Sequence, residues 1–111
     1  MNTDSNYSFI AGRVRYVLVT KRTTPSGREF RRDRDFDTEI DAQVAATRYA
    51  AQRGIRFGRQ NNWGEAHGRV GLDYYSMSLR RYEKMEDGSI LCSPVELRTI
   101  IEVEPSDIVA I

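Results

Sequence analysis

The stretch TEIDAQVAATRYAAQRG, residues 38–54, decides the fold. Thr38-Glu39-Ile40-Asp41 is a variant of the capping box, in which the threonine hydroxyl closes a free amide at a helix start. Gly54 supplies a stop, and Arg48 and Arg53 sit near the negative end of the helix dipole. The spacing predicts a helix over 39–53. Ile40, Val44, Thr47 and Ala51 fall on one stripe, with Ala45 and Tyr49 beside it. Five alanines between positions 42 and 51 would let the helix lie close to a sheet.

Outward from this helix, both flanks read as β structure. Residues 9–21 form a strand with Val14, Tyr16 and Leu18 on one face and Val17 and Val19 on the other. Thr24-Pro25-Ser26-Gly27 is a turn, and residues 28–36 return as a second strand. A three-residue loop at Pro25-Ser26-Gly27 would set Tyr16 opposite Phe36 and Arg15 opposite Asp37. Downstream, residues 55–68 look irregular, interrupted by Gly58, Gly64 and Gly68. Residues 69–84 read as one long strand, Asp87-Gly88 as a hairpin turn, and residues 89–104 as the return. Pro94 cannot donate to a ladder, so the returning strand is an edge or carries a bulge there. The expected fold class is therefore α+β. It is a single domain over 9–111, an antiparallel four-stranded sheet in the order β-β-α-β-β with one helix packed on one face. Residues 1–8 are polar and expected to form a flexible N-terminus.

Composition narrows the function classes. A chain of 111 residues supports one domain, and 40% hydrophobic with 30% charged residues suits a folded protein. The longest apolar runs, 16–19 and 108–111, fall far short of the ~20 residues of a membrane span. Nothing at the start reads as a secretory signal, so a cytoplasmic location without membrane attachment is expected. A single cysteine and a single histidine allow neither an internal disulfide nor a typical zinc site, and no metal or cofactor is expected.

No catalytic constellation stands out. His67 lies beside Glu65, but no sharp turn presents a serine nucleophile, and an exposed loop histidine is the simpler reading. Cys92 reads as a buried strand thiol. The glycines between 54 and 71 match no phosphate-binding fingerprint. Asp33, Asp35 and Asp37 share one strand face, where ion pairing with Arg13, Arg15 or Lys21 accounts for them more simply than a cation site. The chain is expected not to be an enzyme.

Charge and aromatic placement leave two binding readings. Residues 1–60 carry 12 basic and 7 acidic side chains, whereas 61–111 carry 5 and 9, and 15 of the 17 basic residues are arginine. The leading expectation is a non-catalytic module acting through protein–protein interaction. Its candidate anchors are Arg56, Phe57, Arg59 and Trp63, in the glycine-interrupted segment. Small size, missing motifs and an open sheet are shared by many inhibitors or adaptors of phages and mobile elements, though no residue carries a resemblance to any one family. The alternative is a nucleic-acid-binding domain using Arg28, Arg31, Arg32 and Arg34. Phe30, Arg32, Arg34 and Phe36 would share one face, rings among guanidiniums, but the interleaved aspartates would repel phosphate. The open sheet face and the apolar tail at 108–111 also favour a homodimer.

Overall fold

The computed structural model describes residues 13–98. Within them, β1 (Val14–Thr23), β2 (Glu29–Phe36), α1 (Glu39–Arg53), β3 (Glu65–Val70), β4 (Asp73–Lys84) and β5 (Ile90–Val95) follow in chain order. The expected flexible segment 1–8, the residues beyond 98 and the apolar tail lie outside the described residues.

Both long hairpins close in the same way. The amide of Thr24 donates to the Arg28 carbonyl and that of Gly27 to the Thr24 carbonyl, both at 2.9 Å. In the β4–β5 turn, Met85 donates to Ser89 at 2.8 Å and Gly88 to Met85 at 3.0 Å. Gly27 (φ 89°) and Gly88 (φ 92°) occupy the left-handed third position of each loop, where a side chain would be strained. The first loop fixes the register that the sequence predicts, Tyr16 opposite Phe36.

The α+β class, the helix on one face and the β-β-α-β-β frame are as expected, with one short strand added. Residues 69–84 do not form one strand, because Gly71 (φ 59°) starts a two-residue turn with Leu72. The segment before it folds back as β3. The sheet runs β2-β1-β4-β3, with β5 also on β4. One side of β4 pairs with β1 along nearly its whole length. Its other side is shared end to end: β3 takes Asp73 to Ser78, and β5 takes Leu79 to Lys84. Pro94 stands in β5, whose one partner among the described residues is β4, which is the edge position a proline tolerates.

Helix α1 begins where Thr38 accepts a hydrogen bond from the Asp41 amide at 3.2 Å, and ends at Gly54 in the left-handed conformation. Its buried face differs from the expected stripe. Ala42, Ala45, Ala46 and Ala50 meet the sheet, while Ile40 and Val44 are 73% and 44% exposed. Four small side chains at helical spacing bring the backbone close to the strands, and this close contact displaces the larger residues outward. Opposite them lie Leu18, Ala66, Tyr75, Met77 and Leu79, and Ile55, Phe57 and Leu97 complete the core. Gly68 permits the closing segment to pass: a Cβ there would stand 2.7 Å from the Arg56 carbonyl oxygen. Among the described residues no helix is long and apolar enough to cross a membrane.

Candidate functional site

Strand alternation sorts the charged residues of β2 onto two faces. Phe30, Arg32, Arg34 and Phe36 stand opposite Arg22, Thr20, Leu18 and Tyr16, on the face that carries α1. Arg31, Asp33 and Asp35 belong to the reverse face. There Arg15 pairs with Asp35 at 2.9 Å and also with Asp37, Arg13 reaches Asp37 at 3.5 Å, and Arg31 pairs with Asp33 at 2.9 Å. The aspartates that interleave with the arginines in sequence are thus separated from most of them in space. They are held by cations of their own face.

On the helix side, α1 leaves most of β2 uncovered, and a trough of about 710 Å³ opens between the helix and the strands. Its floor comes from β1 and β2 through Leu18, Thr20, Arg32 and Arg34. Its wall comes from α1 through Val44, Arg48, Tyr49 and Arg53. Asp41 is the one carboxylate lining it among the described residues. Arg28, Arg32, Arg34, Arg48 and Arg53 make no ion pair with any described carboxylate. Arg22 is partly engaged, at 3.0 Å from Asp73.

Aromatic rings hold several of these guanidiniums in place. Arg22 and Arg28 lie 4.7 and 5.1 Å from the Phe30 ring centre, Arg34 lies 5.2 Å from that of Phe36, and Arg53 lies 4.0 Å from that of Tyr49. A guanidinium stacked by its flat face keeps its N–H edge available to an anion. Burial raises the Tyr49 phenol above its ordinary pKa, against the opposing pull of Arg53 and of a hydrogen bond with Thr20.

Of the four strand arginines expected to act together, Arg32 and Arg34 line this trough, and Arg28 lies over the ring of Phe30 without lining it. Arg31 borders it, but its guanidinium is engaged by Asp33 through bonds of 2.9 and 3.2 Å. Arg48, Arg53 and Arg22 were not among the binding candidates drawn from sequence. The two helical arginines read as partners of the helix dipole, and only the alanine-faced docking of α1 turns them toward β2.

The other candidate set divides. Phe57 is 5% exposed and belongs to the core, so it is not an exposed anchor: the alternation of residues 55–57 turns Ile55 and Phe57 inward and Arg56 outward. Arg56 and Arg59 are exposed. Trp63 is 72% exposed at the tip of a tightly bonded turn. Asn61 Oδ1 accepts from the amides of Trp63 and Glu65 at 2.9 and 3.0 Å, and Arg80 donates to the Trp63 carbonyl at 3.2 Å. Gln60 ties the turn to the chain after β5 by donating to Gly64 and accepting from Leu97.

His67 is not a loop residue. It is half-buried in β3, with Nδ1 2.7 Å from the Tyr74 hydroxyl and Nε2 3.5 Å from Glu65. Cys92 is exposed, not buried, because the edge strand β5 sets it beside Tyr82 and away from the helix side. Among the described residues no group of three or more His, Cys, Asp or Glu side chains is placed to hold a metal ion. No family model matches the chain, and neither does any curated protein or solved structure.

Proposed function

We propose that this chain is a non-catalytic binding module whose ligand is nucleic acid, held in the trough between α1 and β2. The observation that carries the reading is the sorting of charge. Around β2, the reverse-face arginines Arg13, Arg15 and Arg31 are paired with aspartates, while Arg32, Arg34, Arg48 and Arg53, which line the trough, have no described carboxylate partner. Unpaired cations crowded on one surface repel one another, an arrangement that a polyanion relieves. Guanidiniums hydrogen-bond phosphate oxygens through two N–H groups at once, which suits this residue type to the role.

Fluorescence anisotropy with short labelled oligonucleotides at low salt tests the proposal. Binding should weaken steeply as salt rises, because each neutralised phosphate releases counterions. Absence of binding to any DNA or RNA at low salt would remove the reading.

A second reading is supported by the Trp63 turn. An indole exposed on a hydrogen-bonded frame has the properties of a protein-docking anchor, with Arg59 nearby in sequence, as an inhibitor or adaptor would use. The two readings concern different surfaces, so variants of one leave the other intact.

A further inference from the structure

Resting on the nucleic-acid reading, we infer that the trough takes a single strand and grips it through its phosphates with little regard to base identity. Arg32 and Arg34 are alternate residues on one face of β2, about 6.6 Å apart along the strand. That matches successive phosphates of an extended single strand. Arg48 and Arg53 face them from the helix wall, so the backbone of such a strand would lie between two rows of cations.

Width argues against a duplex. Strand β2 is the sheet edge, and its reverse face carries Glu29, Asp33 and Asp35 one pleat away from Arg32 and Arg34. A narrow strand in the trough avoids those carboxylates. A duplex spanning the edge would bring its second row of phosphates toward them.

Base tolerance follows from how the rings are used. Phe30, Phe36 and Tyr49 each have a guanidinium of this chain over the ring, so they position cations instead of standing open for bases. Recognition led by phosphates carries no sequence information.

The test compares one labelled mixed-sequence DNA 12-mer, single-stranded and as a blunt duplex, together with oligo-dT, oligo-dA and oligo-dC of equal length. The single strand should bind at least about tenfold tighter than the duplex, with a salt slope near 0.7 per phosphate contacted. The three homopolymers should agree within about threefold. Arg32→Ala with Arg34→Ala should lower single-strand affinity more than about tenfold. Equal or tighter duplex binding would overturn this inference and leave the nucleic-acid reading standing. A strong homopolymer preference would overturn phosphate-led recognition. Failure of every oligonucleotide to bind at low salt would overturn both.

Discussion

Trp63 and Phe57 stand six positions apart in one glycine-interrupted segment, and their fates differ by direction alone. Phe57 follows the helix inward, whereas the Asn61 side chain holds Trp63 outward at the tip of its turn. The polar frame Gln60-Asn61-Asn62 was a legible sign of an exposed indole. The inward turn of Phe57 was not, because nothing local distinguishes an anchor from a plug. Trp63→Ala should accordingly cost less than about 1 kcal/mol, against about 3–5 kcal/mol for a buried aromatic. Emission from this sole tryptophan should be red-shifted and open to quenchers, and a blue-shifted, protected emission would contradict the exposed placement. Tyr49 gives a second test. Burial raises its pKa in the folded chain, so the neutral phenol is favoured on folding. Its contribution is complete below the unfolded value of about 10 and is lost as pH rises through the higher folded value. Melting temperatures measured upward from pH 8 should fall more steeply above pH ~10 in the natural chain than in Tyr49→Phe. Parallel curves would show that the phenol is not held neutral by the fold.

Among the elements, α1 was the most legible, since both of its ends carry side-chain or glycine signals that act locally. Its buried face was not. The stripe of Ile40 and Val44 is the more hydrophobic, yet close approach of backbone to sheet selects the alanines. Strand β3 escaped notice for a related reason: its six residues, EAHGRV, alternate polar with small or apolar side chains, but Ala66 and Gly68 give that alternation little hydrophobic signal. Its hairpin uses Gly71-Leu72 in place of an asparagine–glycine or aspartate–glycine pair. Ala46, fully buried between α1 and the sheet, is the place to test the packing. Ala46→Leu should destabilise by about 1–3 kcal/mol through overpacking. Thr38→Ala should cost about 1 kcal/mol by removing the cap. Denaturant midpoints give both values, and an Ala46→Leu protein as stable as the natural chain would mean that the helix does not lie against the sheet as described.

At the scale of the whole molecule, neither the +1 formal charge nor the excess of bases in the first half conveys where the cations lie. Two-residue alternation along β2, combined with a helix that stops short of it, places unpaired arginines on one face and paired charges on the other. Strand parity was readable in advance, but the contribution of Arg48 and Arg53 depended on how α1 docks. The β1–β2 part of the reverse face carries Arg–Asp pairs, which bears on the expected homodimer: an apolar sheet-to-sheet contact there would have to exclude water from those ion pairs. Light scattering should therefore give a monomer mass unless segments outside residues 13–98 form the contact. The central claim is tested most directly by two double variants that remove the same charge from different places. Arg32→Ala with Arg34→Ala empties the trough floor, while Arg59→Ala with Arg98→Ala removes two exposed arginines outside it. In salt-dependent anisotropy titrations with a single-stranded oligonucleotide, the first pair should lower the slope by about 1.4, two phosphates at about 0.7 each, and the second should leave it unchanged. Equal losses from both pairs would mean that general charge, and not the trough, attracts the ligand.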